Sequence, residues 1–256
     1  MTQSARRCRA LAACALLLAA VGITGCARTV NGTASAPSVD LGKRLQHSMD
    51  TVTSAHVEMR VDSGGLFVVA SGDQKLNHAK PTAFSLTEHI GGLGEIKVID
   101  ADGKLYVHLP AHINPTAKPW VLIRPDTTDP TLAPLAQALQ QVQQSTSLRQ
   151  YAAFAQSASN FHDVGRSEAN GIQAELYTFD VLISRLPQNL PGAAVLRRSG
   201  IHSLPVKLWV DDQGRVRRMS ETISMAGQQT STRVDLSKFD VPVTISAPPP
   251  DQVATR

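Results

Sequence analysis

The chain has 256 residues, 42% hydrophobic and only 4% aromatic, with 25 Lys+Arg against 21 Asp+Glu and a formal charge of +4. Three of the cations (Arg6, Arg7 and Arg9) open the chain, so the remainder holds 22 against 21 and is close to neutral. Near-neutrality and scarce rings exclude the basic footprint and stacking platform of a nucleic-acid-binding protein.

Those arginines form a positive n-region, and Ala10 to Val21 follow as 12 residues without charge. That run is too short to cross a ~30 Å hydrocarbon core, which needs about 20 residues, but it suits a signal-peptide h-region. The segment closes on Ile23-Thr24-Gly25-Cys26. This resembles a bacterial lipobox, in which the thiol takes a diacylglyceryl group and small residues let the backbone enter the signal peptidase. Residues 1–25 are therefore read as a lipoprotein signal peptide and Cys26 as the attachment site of the lipid. Residues 26–39 are small and polar and suit a flexible tether. Cys8 and Cys14 leave with the signal peptide, and the single remaining cysteine excludes disulfides, cysteine metal sites and redox pairs.

The folded region is placed at 40–250. A helix is expected from Asp40 to Val52, because Leu41, Leu45, Met49 and Val52 recur at helical spacing. Strands follow. Ala55, Val57, Met59 and Val61 alternate with His56, Glu58 and Arg60, the pattern of a half-buried strand. Leu66–Ala70, Ala83–His89 and Glu95–Ile99 extend the series, Asp102-Gly103 turns the chain into Lys104–Leu109, and Trp120–Ile123 is a further strand. The period then changes. Asp129-Pro130 starts a helix through Leu132, Leu135, Leu139 and Val142, and Ser147 with Gln150 forms a capping-box pattern for a second helix.

Strands return at Phe161–Ala169 and Ile172–Val181 around the turn Asn170-Gly171. Leu182–Leu204 is a connection with a helical turn near Ala193–Arg198. Leu204–Val210, Arg215–Met225 and Thr230–Leu236 are strands, and Val241–Ser246 is a last one, at an edge because of Pro242. The tail from Pro248 closes the structured region. Hairpins dominate, so the fold class is α+β: a single large curved antiparallel sheet with helices on its concave face.

Catalytic signals are absent: no nucleophile elbow, no Ser-x-x-Lys, no His-Glu-x-x-His and no phosphate loop. Gly91–Gly94 reads as a turn or bulge, and Pro110 keeps His108 and His112 from sharing a helical face. Asp211-Asp212 suits turn chemistry, and Arg215, Arg217 and Arg218 read as a solvated strand edge, the alternative being contact with anionic lipid head groups. The protein is expected to be a non-enzyme without a metal or cofactor.

Several segments resemble mycobacterial lipoproteins of the LppX/LprG/LprA/LprF group. They are Leu204-Pro205-Val206-Lys207-Leu208-Trp209-Val210-Asp211 with Gly214 and Arg217-Arg218, Leu236–Phe239 followed by Val241–Ile245, Ser54–Val57, Ala70–Asp73 and Asp102–Val107. The resemblance implies a LolA/LolB-like open half-barrel around helices, enclosing a hydrophobic cavity. It further implies carriage of acylated lipids or lipoglycans across the envelope, with the lipid as cargo rather than cofactor. The protein would be lipid-anchored on the extracytoplasmic face of the cell membrane, with a membrane transporter as a possible partner. The apolar phases of the strands nominate Val57, Met59, Val61, Ile96, Val98, Leu176, Val206 and Leu208 as cavity lining. The alternative is a scaffold lipoprotein with a filled core that binds an envelope protein.

Overall fold

Strand β1 (Ser54–Ser63) holds the two halves of the chain together. On one side it pairs with β2 (Leu66–Asn77), and a meander continues through β3 (Lys80–Ile90), β4 (Gly94–Ala101), β5 (Lys104–His108) and β6 (Trp120–Ile123). On the other side it pairs with β11 (Gln228–Ser237), which leads back through β10 (Val216–Met225), β9 (Ser203–Val210) and β8 (Ile172–Leu182) to β7 (Ala158–Ala169). The computed structural model describes residues 37–91, 94–114, 116–124, 147–190, 192–225 and 228–255. The segments expected to be signal peptide and tether lie outside them apart from the last residues of the tether, as do Cys26 and the helix expected from Asp129 to Val142. Ser35–Arg256 forms one compact unit.

All of this is one open 12-stranded sheet with helices on one face, the α+β architecture expected. One pairing departs from the expectation. Val241–Ser246 is not a strand; the chain runs past its proline-rich segment and adds β12 (Val253–Thr255), parallel to β6 and forming that sheet edge. Pro242, Pro248, Pro249 and Pro250 supply no N–H to a ladder, so pairing resumes only beyond them.

Helix α1 (Pro37–Asp50) buries Leu41, Leu45 and Met49, one residue every turn, against the inner face of the sheet. Helix α2 (Arg149–Gln156) buries Tyr151, Ala152, Phe154 and Ala155 beside it. Gly42 makes the helix crossing close: a Cβ there would stand 2.4 Å from Gln156 Cγ and 3.1 Å from the Ala152 carbonyl oxygen. The capping box does not form. Ser147 Oγ instead donates to the Ala79 carbonyl at 3.3 Å, and Leu148 N–H donates to the same oxygen at 2.9 Å. These bonds hold a turn that the sequence hides, since His78 and Ala79 both adopt positive φ (49° and 59°) without a glycine. The hairpins at Asp102-Gly103 and Asn170-Gly171 have positive φ at both central residues, as their sequences require. A short helix, α3 (Ala193–Arg198), lies in the connection, where Arg197 donates to the Leu186 carbonyl. Among the described residues no helix is long and apolar enough to cross a membrane.

Candidate functional site

Register places side chains on the helix-bearing inner face row by row. One row runs Val121, Val107, Val98, Leu86, Gly72, Val57, Leu236. The next runs Ile96, Glu88, Ala70, Met59, Val234, Met219, Leu208, Tyr177. A third holds Val68, Val61, Thr232, Glu221, Val206 and Phe179. The inner face is thus largely apolar from β6 to β8, with Glu88, Thr232 and Glu221 as the polar members of these rows.

Its burial is uneven. One cluster joins α1 and α2 to β8–β11 through Leu45, Met49, Phe154, Phe179, Val206, Leu208 and Leu236. A second joins β3–β6 through Phe84, Leu86, Ile96, Val98, Val107 and Val121. Between them, on the central strands, Val57, Met59, Val61, Val68 and Val234 are only half-buried. These side chains form an apolar floor with accessible surface, the property a ligand-binding face needs.

Seven of the eight proposed lining residues lie on this face. Val57, Met59 and Val61 belong to the half-buried floor, while Ile96, Val98, Val206 and Leu208 are packed inside the two clusters. Leu176 is a correction. It pairs with Trp209 and lies on the outer face, because the inner phase of β8 is Tyr177, Phe179 and Val181. Ile172, Ala174 and Leu176 form an apolar phase at the start of β8, but Thr178 and Asp180 continue it, and a slip of one residue exchanges the faces.

Glu88 and Glu221 were not singled out by sequence reasoning. Burial raises the pKa of both above the ordinary carboxylate range; for Glu221 a hydrogen bond with Thr232 opposes the shift. Burial also pushes the Tyr151 phenol strongly upward. A carboxyl with a raised folded pKa favours the folded state most at low pH. Stability should therefore fall as pH rises from about 4.5 through the raised value, then level off. Glu221→Gln should flatten this fall and give a higher melting temperature than wild type above the window, as thermal unfolding at a series of pH values would show.

Two clefts are open beside the sheet and helices. One of about 550 Å³ crosses β8–β10 and is bordered mainly by outer-phase residues, among them Thr178, Asp180, Lys207, Ser220 and Thr222. The other, about 590 Å³, lies where Gln46 of α1, Ala152 and Gln156 of α2, Pro81 and the Pro187–Leu190 connection meet.

The outer face is polar. Asp235, 5% exposed, accepts from Arg218 and Arg233, both at 2.6 Å, and Arg218 lies over the Trp209 ring. Arg215 and Arg217 lie over Phe239 and pair with Asp211, and Arg217 is only 6% exposed. The basic trio is therefore packed and paired, not a solvated edge. Asp211 Oδ1 accepts the N–H groups of Gln213 and Arg215, the turn role expected of it.

One arrangement on the outer face has catalytic form. His56 Nδ1 lies 2.6 Å from Asp73 Oδ1, and its Nε2 lies 3.3 Å from Ser71 Oγ. The sequence conceals it because the three residues meet only across the β1–β2 ladder. Acyl transfer also needs N–H donors aimed at the oxyanion. Here β2 is bonded to β1 and to β3, so its backbone donors are spent in ladders. The trio is a cross-strand polar cluster that orients His56. Among the described residues no group of three His, Cys, Asp or Glu is arranged to hold a metal.

Comparison with known proteins places this geometry. No family model and no curated protein sequence matches the chain. Among solved structures, the lipoprotein LppX from Mycobacterium tuberculosis is similar with a TM-score of 0.52 at 16% identity, covering 83% of this chain and 100% of LppX. LprF from Mycobacterium bovis is similar with a TM-score of 0.55 at 14% identity, covering 85% of this chain and 99% of LprF. The chain shares the fold of the mycobacterial lipoproteins LppX and LprF.

Proposed function

We propose that this chain is a non-enzymatic envelope lipoprotein that binds the acyl chains of a lipid or lipoglycan on its inner face and carries it across the cell envelope. The half-buried floor of Val57, Met59, Val61, Val68 and Val234 carries this reading. Each methylene moved from water onto such a surface gains about 0.8 kcal/mol. Acyl chains can thus be held there while a polar head stays in water. In this reading Cys26 bears the diacylglyceryl anchor, the partner surface is the outer leaflet of the cell membrane, and a membrane transporter loads or unloads the cargo. Met59 and Val61 are the inner-face candidates that contact cargo; Leu176, on the outer face, is not among them.

Two measurements test this. Cys26→Ala should move the protein from the membrane fraction to the soluble fraction of the exporting host; retention in the membrane overturns the anchor. Native mass spectrometry of the released Cys26→Ala protein should show bound acylated lipid. No lipid on recovery and no uptake of added glycolipid would overturn the carrier reading, and a reproducible protein partner would then favour the scaffold.

A further inference from the structure

The inner side of β2 differs from every strand around it. Beyond Val68 its side chains there are Ala70, Gly72 and Gln74, opposite Met59, Val57 and Ala55 of β1 and Glu88, Leu86 and Phe84 of β3. On the β1 side lies the cluster under the helices, and on the β3 side lies the second cluster. Ala70 and Gly72 belong to neither, so by side-chain size β2 reads as a shallow groove between the larger residues of β1 and β3.

Gln74 stands on the same face at the α1 end of this groove. It is 1% exposed, yet neither Nε2 nor Oε1 has a hydrogen-bond partner. A buried amide without partners is costly, and a leucine or methionine of similar volume would fill the place without that penalty. The fold draws no hydrogen bond from it. Its immediate inner-face neighbours, Ala55, Gly72 and Phe84, carry no charge.

We infer that Gln74 is the recognition point for an uncharged ester linkage within the apolar body of a bound lipid. The chemistry follows from the amide. Nε2 can donate to an ester carbonyl, and Oε1 can accept from a hydroxyl beside it. A phosphate or carboxylate would need a cation, and among the described residues none neighbours Gln74 on the inner face. The groove along Gly72 and Ala70 gives an acyl chain its path from that linkage toward Met59 and Val61. This inference rests on the carrier reading and adds what kind of lipid the face selects.

The test uses the released Cys26→Ala protein and two probes, dipalmitoylglycerol and the matched dihexadecyl glycerol ether, competed in native mass spectrometry. The ester should bind on the order of three- to tenfold more tightly than the ether, the worth of one neutral hydrogen bond. Gln74→Leu should abolish that preference without lowering the melting temperature, since it removes an unpaired buried amide. Equal binding of ester and ether by the Cys26→Ala protein overturns the inference while leaving the carrier reading intact, and needs no further variant to fold. Binding of neither probe overturns the inference, and with no glycolipid recovered or taken up it overturns the carrier reading as well. A Gln74→Leu protein that is destabilised but keeps the ester preference assigns Gln74 to the fold alone and also overturns the inference; Gln74→Met serves if the leucine variant does not fold.

Discussion

Asp235→Ala should destabilise the domain by about 3–5 kcal/mol, the cost of leaving a buried ion pair with one partner missing. The carboxylate is the shared acceptor of Arg218 and Arg233, with both bonds at 2.6 Å and the Asp235 side chain only 6% exposed. The Arg218 side chain is 15% exposed and Arg233 is 38% exposed. Solvent screens the second arginine, so the lower end of the range is expected. For a domain of this size that corresponds to a melting temperature roughly 6–12 °C lower. Urea unfolding of Asp235→Ala, Arg218→Met and the double variant checks it: the double variant should recover part of the loss, because no unpaired guanidinium remains on Trp209. A loss below 1 kcal/mol would show that the cluster is an ordinary surface ion pair.

Gly72→Ala should cost about 3 kcal/mol, the upper end of the overpacking range. A Cβ at Gly72 would meet the Ser85 carbonyl oxygen at 1.9 Å and Leu86 Cα at 2.9 Å. These are backbone atoms of β3, so no side-chain rotation relieves the clash and the β2–β3 ladder must move. The expected signs are a lower urea midpoint and faster amide exchange in β2 and β3 than elsewhere in the sheet. Unchanged exchange in those two strands would overturn the argument.

The periodic elements were legible in the sequence. Leu41, Leu45 and Met49 announced α1, and Asp102-Gly103 and Asn170-Gly171 announced their turns, because each signal is local. The β2–β3 hairpin was not legible. His78-Ala79 carries no turn chemistry of its own, and its left-handed backbone is held by bonds from Ser147 and Leu148, far along the chain. Leu176 was misplaced because Ile172, Ala174 and Leu176 make an apolar run of the wrong phase before Thr178 and Asp180 break it, and Arg217 was misread because its burial depends on Phe239. Gln74 lies beyond the strand expected at Leu66–Ala70, and Glu221 was one polar residue among several in Arg215–Met225. Only the register shows that they face inward, so the polar half of the candidate site is a product of tertiary pairing.

The pairing of β1 with β11 has a consequence for how the molecule comes into being. Thr53 N–H is bonded to Asp240, 187 residues away, and β1–β11 is the one ladder that joins the β1–β6 meander to the β7–β11 meander. Each meander forms by closures far shorter than this one, the Leu182–Ser203 connection included, but this ladder carries the loop-closure entropy of nearly the whole domain, the kind of contact that slows folding. Until it closes, β1 and β11 are open edges, and Met59 and Val234 stand on separate sheets. The greasy floor therefore exists only at the end of assembly. A chain exported unfolded would complete its most aggregation-prone edges and its ligand-binding face in the same step.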